Sequence, residues 1–412
     1  MKRLCFLFFV VLSALGISAQ DFNSWFQDKT LRIDYIFSGN DHEQHIAVDE
    51  LCQSPRWYGK RQRLAELPME GNGQITVRDS VSGKIIYRNS FSTLFQEWQS
   101  YPEAKTIDKS FENVFLVPMP KRTVKVTLDL RDNRRQISAS LTHVVNPNDI
   151  LIRHIGEKEV THYVYLQKAA DTTRCIRIAY VAEGYTKAEM PKFLEDARRA
   201  MGYLFSYEPF KSSRNRFSLV AVESPSVDSG VSIPGEGIWK NTALLSNYDT
   251  FYSERYLTTL HLKRLHDCLA GIPYEHIIVL VNTERYGGGG ILNSYDLCAA
   301  HNSTFRPVVV HEFGHSFAGL ADEYAYDTEE VPMYPHDVEP WEKNITTKVD
   351  FKGKWENLIG KDPKAGFYEG AGYSPKGVYR AYPDCRMRTN ENPDFCPACR
   401  QAIQAVIDFY TK

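Results

Sequence analysis

After Ile17 no stretch of this 412-residue chain stays apolar for the roughly 20 residues that a bilayer-spanning helix needs, which excludes such a helix from everything that follows. An excess of one charge is lacking too. Lys and Arg number 49 against 51 Asp and Glu, a net −2, so there is no basic field for nucleic acid. A phosphate loop is missing, because no Lys-Ser/Thr pair opens a helix after the four glycines Gly287 to Gly290. Cysteine is scarce. With Cys5 set aside in the leader, Cys52, Cys175, Cys268, Cys298, Cys385, Cys396 and Cys399 remain, an odd set in which one must be free or paired between chains. In an oxidising compartment a disulfide among Cys298, Cys385, Cys396 and Cys399 is expected. Cys396-Pro397-Ala398-Cys399 also has the spacing of half a structural zinc site, with no second pair to complete it.

What is present begins with a leader. Met1-Lys2-Arg3 is basic, Leu4 to Ile17 is apolar and Ser18-Ala19-Gln20 is small, so residues 1–19 read as a secretory signal peptide. Losing Lys2 and Arg3 takes the net charge from −2 to about −4 and leaves a soluble protein that is secreted, periplasmic or at the cell surface. The whole chain is 43% hydrophobic and 13% aromatic, enough for about two domains. Residues 20–168 carry strand patterns. Val124, Val126, Leu128 and Leu130 alternate with polar residues, and Ile75, Val77, Ile85 and Tyr87 bracket a turn at Asp79 to Gly83, which predicts an antiparallel β-sandwich. Asp41, His42, Glu43 and His45 cluster there without a spacing that would focus them, as a solvated loop does.

Residues 169–412 change texture, and the strand at His162 to Leu166 leads out of the first half. Strands are predicted at Cys175–Val181, Arg216–Val222 and His276–Asn282. Helices are predicted from Ala188 to Tyr203 after Thr186 as N-cap, and from Glu254 to Ala270 after Ser253. The fold class is α+β multidomain, a sandwich followed by an α/β layer. Gly287 to Gly290 are either a close-approach strand that leaves room for a peptide or a mobile loop.

The chemistry lies in Val308-Val309-Val310-His311-Glu312-Phe313-Gly314-His315. Residues four apart share a helix face, so His311 and His315 can offer two imidazole nitrogens to one metal ion. Glu312 sits beside that ion, placed to take a proton from water, as in zinc peptidases. Pro307 suits the first helical turn, Gly319 can end the helix, and Asp322 or Glu323 follows as an oxygen ligand.

With Gly319 and Asp322-Glu323-Tyr324, then Cys385-Arg386-Met387-Arg388, Cys396-Pro397-x-Cys399 and the earlier Glu183-Gly184-Tyr185-Thr186, this stretch resembles the bacterial IgA-peptidase-like zinc metallopeptidases. The resemblance implies a metzincin-like α/β domain: a sheet over the metal helix, a glycine turn, a third ligand and a methionine turn at Met387. Metzincins usually place glycine and a third histidine where this chain has Ala318 and Ala321. Both features are displaced by one residue here, to Gly319 and Asp322, which favours Asp322 over Glu323.

The resulting expectation is a zinc endopeptidase acting on protein or peptide substrates, immunoglobulin or other host glycoproteins among them, with zinc on His311, His315 and Asp322 and with Glu312 as general base. Tyr324 and Tyr382 are candidates to stabilise the oxyanion. One rival draws the third ligand from Glu329 or Glu330, although Pro332 and Pro335 argue against the helix it requires. Another is a surface binding or adhesion protein that works through the sandwich and keeps the peptidase half as scaffold. Oligomeric state is not legible in the sequence.

Overall fold

The computed structural model describes residues 22–327 and 333–412. The leader at 1–19, Glu329, Glu330 and Pro332 lie outside the described residues. The protein is a mixed α/β molecule with several sheets. Its first half contributes β1 (Phe26–Gly39), β2 (Gln44–Ser54), β3 (Gly73–Asp79), β4 (Ile85–Phe91), β5 (Lys109–Pro120), β6 (Val124–Arg131), β7 (Ile137–Val145) and β8 (Arg153–His154). They form two four-stranded sheets, in the orders β5-β1-β2-β8 and β4-β3-β6-β7. Val124, Val126, Leu128 and Leu130 of β6 are buried while its intervening residues are partly or wholly exposed, the period of two that marks one buried face. Those residues share a core with Leu31, Ile33, Tyr35 and Phe37 of β1 in the other sheet, and the Tyr35 hydroxyl meets His143 Nε2 at 2.7 Å. The predicted turn at Asp79 to Gly83 is a hairpin. Asp79 accepts from the Ser82 amide at 2.8 Å, and Gly83 supplies φ +70°.

The second half is built on a six-stranded sheet of β9 (Tyr163–Gln167), β10 (Ile176–Glu183), β11 (Phe217–Val222), β12 (His276–Val281), β13 (Gly288–Ile291) and β14 (Tyr295–Ala299), in the order β13-β14-β12-β10-β11-β9. Its four central strands are parallel and buried on both faces, hence their nearly unbroken apolar runs. Alternate residues feed two cores. Ala179, Val181, Val279 and Val281 pack toward the first half, while Ile178, Tyr180, Ile278 and Leu280 pack with the helices Met190–Leu204, Phe305–Ala318 and Pro397–Thr411.

Two sequence expectations change. The strand placed at the exit of the first half is β9, and it joins the second sheet antiparallel to β11. The helix expected from Glu254 to Ala270 is helical only over Leu262–Cys268. Upstream, the Thr258 and Asn247 backbones bond each other in both directions, and the Thr259 hydroxyl donates to the Leu244 carbonyl, so pairing with a distant segment outcompetes a local helix. Ser253 consequently ends a short 3₁₀ turn, Thr250–Tyr252, and caps no helix.

Candidate metal centre

The helix Phe305–Ala318 begins two residues before Pro307, and its buried Val308, Val309, Val310, Phe313 and Phe317 seat it in the core. Gly319 ends it with φ +58°, in the left-handed region where a side chain is strained. A Cβ there would also lie 2.5 Å from the Trp341 ring. The chain therefore turns back sharply and brings Asp322 over the helix.

Three atoms converge at that point. His311 Nε2 and His315 Nε2 are 3.0 Å apart, and Asp322 Oδ1 is 3.0 Å from the first and 3.3 Å from the second. Ligands about 2.0–2.1 Å from one tetrahedral zinc stand about 3.3 Å from each other, so this triangle has the dimensions of a metal site. Asp322 Oδ1 is buried and makes no hydrogen bond, an orphaned acceptor that a cation would satisfy. The outer nitrogens are occupied. His311 Nδ1 is 3.0 Å from the Arg386 carbonyl and His315 Nδ1 is 2.5 Å from the Leu320 carbonyl. Since a carbonyl only accepts, both Nδ1 atoms carry the proton and both Nε2 lone pairs face the shared point. The residues present fit a divalent cation.

Burial pushes the Glu312 carboxyl above its ordinary range, with His311 and His315 pulling it back. Its position accounts for the glycine run. A Cβ on Gly288 would lie 2.7 Å from Glu312 Oε1, and one on Gly290 would lie 2.4 Å from the Glu312 carbonyl oxygen. Gly288–Ile291 is thus a close-approach strand, not a loop. Tyr256 bridges Gly288, so that part of the strand is already paired within the chain.

Two acidic residues, Asp322 and Glu323, follow Gly319, and the backbone turns them opposite ways. Asp322 faces the imidazoles. Glu323, wholly buried, points into a group of thiols, with the Cys399 Sγ donating to its Oε1 at 3.0 Å. Met387 is fully buried with its sulfur against Gly314, where a Cβ would come within 2.9 Å, and its carbonyl accepts from the Glu323 amide at 2.7 Å. The methionine segment therefore touches the site through backbone: Arg386 O holds His311 and Met387 O holds the acidic loop.

One contributor has no signal in the sequence. The Tyr373 hydroxyl donates a short hydrogen bond to Asp322 Oδ2, and the Gly372 amide donates to the Asp322 carbonyl at 2.9 Å. Tyr373 comes from a small hairpin of Tyr368–Ala371 and Ser374–Arg380, about 50 residues away, which no local pattern could have linked to Asp322. Of the two tyrosines suggested for the oxyanion, Tyr324 lines the cleft, packed on Tyr373 with ring centroids 5.3 Å apart. Tyr382 instead donates to Asp362 at 2.8 Å. Glu183 of the Glu-Gly-Tyr-Thr stretch is likewise structural, accepting from the Leu244 and Ser246 amides. The disulfide expected among Cys298, Cys385, Cys396 and Cys399 is not formed, since all seven described cysteines are free thiols.

The site opens onto a cleft lined by both halves of the chain, Glu97, Arg131 and Arg135 coming from the first and Tyr286, Tyr326 and Asn390 from the second. Glu97 accepts from Tyr256 at 2.6 Å, and burial pushes its carboxyl up to about 7. No described helix is long and apolar enough to cross a membrane.

No curated protein matches the chain. The sequence profile of the Peptidase M64 N-terminus matches residues 21–142, and that of IgA Peptidase M64 matches residues 164–364 and 361–407. With the histidine pair, its neighbouring glutamate and the facing carboxylate at the floor of one cleft, these matches make the chain a member of the IgA peptidase M64 family of metallopeptidases.

Proposed function

We propose that the protein is a secreted zinc endopeptidase in which His311, His315 and Asp322 hold the metal and Glu312 is the general base, on a metzincin-like domain preceded by a β-sandwich. The observation that carries this reading is the convergence of His311 Nε2, His315 Nε2 and Asp322 Oδ1 within 3.3 Å of one another, beside Glu312, at the floor of an open cleft. A zinc ion bound there would supply Lewis acidity, polarising a scissile carbonyl and acidifying water at the site.

The chain's own residues do the rest. Glu312 is held between the helix and the Gly288 strand, so its carboxylate cannot swing far and stays placed to accept a proton and pass it to a leaving amine. The carbonyls of Arg386 and Leu320 fix the imidazoles, and Tyr373 fixes Asp322. Tyr324, on the cleft wall, is the candidate donor to a developing oxyanion. Met387 packs beneath the helix as the methionine-turn residue. A cleft of about 1030 Å³ walled by two parts of the chain suits a segment of protein better than a small molecule. Immunoglobulin and other host glycoproteins are the substrates to try first, and the leader at residues 1–19 would deliver the protein outside the cytoplasm.

The test pairs two measurements on the same preparations. Wild type should cleave a protein or peptide panel and stop when metal is chelated, while Glu312→Gln should fold, keep its metal and lose a factor on the order of a hundred or more in rate. Equal cleavage by both would remove Glu312 as the base. A wild type that cuts nothing in the panel would favour the adhesion reading.

A further inference from the structure

The second cluster of metal-ligating side chains lies on the other side of the acidic pair, and the proposed reaction does not use it. Cys385, Cys396, Cys399 and Glu323 each direct one donor atom to a common point, with all four atoms within 4.8 Å of one another. Every one of these side chains is buried, Cys396 being the least so at 5% exposure. Cys385 Sγ and Cys399 Sγ are 3.7 Å apart. Two thiolates on one tetrahedral zinc, each about 2.3 Å from the ion, would stand about 3.8 Å apart.

A disulfide would leave two features unexplained. Three thiols cannot all pair, and a carboxylate has no reason to be aimed at them. Glu323 Oε1 accepts from Cys399 Sγ and from Asn344 Nδ2, both at 3.0 Å, while Oε2 is buried with no partner at all. A buried carboxylate left with an empty lone pair is destabilising unless a cation faces it. The backbone adds what a thiolate requires: the Cys396 amide donates to Cys385 Sγ at 3.1 Å.

We propose that Glu323, Cys385, Cys396 and Cys399 bind a second, structural zinc ion. The donor set is soft and sulfur-rich, which selects zinc over calcium or magnesium. All four positions are filled from the chain and closed to solvent, so no place is left for water or substrate, the mark of a structural site. On binding, the thiols give up their protons to solvent and the ion's positive charge is shared among the donors. The ion ties together three segments: the loop after the motif helix through Glu323, the methionine segment through Cys385, and the start of the helix Pro397–Thr411 through Cys396 and Cys399. Asp322 is adjacent to Glu323 and Met387 is two residues from Cys385. The second zinc is therefore a positioning device for the first site.

The full-length mature protein, loaded with zinc alone, tests this. Elemental analysis should find two zinc ions per wild-type chain and one in the His311→Ala/His315→Ala variant. In that variant the zinc X-ray absorption spectrum should show mainly sulfur neighbours, at about 2.3 Å. Cys396→Ser should lose the sulfur signal; where that variant does not fold, the spectrum of the histidine variant decides alone. A histidine variant with no zinc would overturn the proposal, whether its cysteines are recovered as free thiols or with one pair oxidised. The same would follow from a retained zinc with only nitrogen and oxygen neighbours. Failure of the peptidase reading looks different, as an inactive wild type that still holds the sulfur-bound ion.

Discussion

At the scale of single residues, the two carboxylates after Gly319 divide the work because their backbone is pinned from two segments, the Glu323 amide by the Met387 carbonyl and the Asp322 carbonyl by the Gly372 amide. Asp322→Ala should strip the metal shared with His311 and His315, since it removes one of three protein donors, and should leave sulfur-bound zinc in place. Metal content read together with the absorption spectrum checks both halves of that statement. Tyr373→Phe deletes only the hydroxyl that bonds Asp322 Oδ2. Losing such an outer partner typically weakens metal binding by about 10–100-fold, so a chelator competition should show a shift of that size with the fold intact. Unchanged affinity would make Tyr373 a packing residue.

At the scale of elements, the decisive contact is between β13 and the motif helix. Glycine is required at Gly290 because a Cβ would meet the Glu312 carbonyl oxygen at 2.4 Å and the His315 Cβ at 3.0 Å. Gly290→Ala must push the strand off the helix, at a cost of about 1–3 kcal/mol, and should lower the melting temperature as well as activity. Gly288→Ala meets the carboxyl end of the Glu312 side chain instead of backbone, at 2.7 Å. It should keep metal and stability while lowering kcat, and a loss of both metal and kcat would refute that division. The motif helix is legible because its two histidines lie four residues apart on one local element. The helix predicted from Glu254 shortens to Leu262–Cys268 because Thr258 and Thr259 bond to Asn247 and Leu244, 11 and 15 residues upstream and outside the predicted helix.

At the scale of the whole molecule, the first half is more than an appendage. Leu31, Ile33 and Val117 share one core with Val181, Val279 and Val281 of the six-stranded sheet. Glu97 reaches the cleft wall from the same half. A chain starting near Tyr163 would expose that sheet face, a large apolar patch, and should aggregate or melt well below the full protein in a thermal scan. A soluble, active fragment with an unchanged melting temperature would show that the halves are independent.

The sequence by itself determined whatever depends on near neighbours: the alternating strands of the first half, the apolar runs of the parallel sheet, the His311–His315 pair with Glu312 between them, and the glycine that stops their helix. Those features follow from backbone period and steric demand, which a few consecutive residues specify. Only the tertiary structure decided which acidic side chain faces the imidazoles, that Tyr373 supports it, that β9 belongs to the second sheet, and that Cys385, Cys396 and Cys399 meet Glu323. The last three join segments tens of residues apart in the chain, and the turn that aims Asp322 at the nearby imidazoles is itself held by the distant Met387 and Gly372 backbones; contact at that separation is set by how buried surfaces pack, which no local pattern encodes.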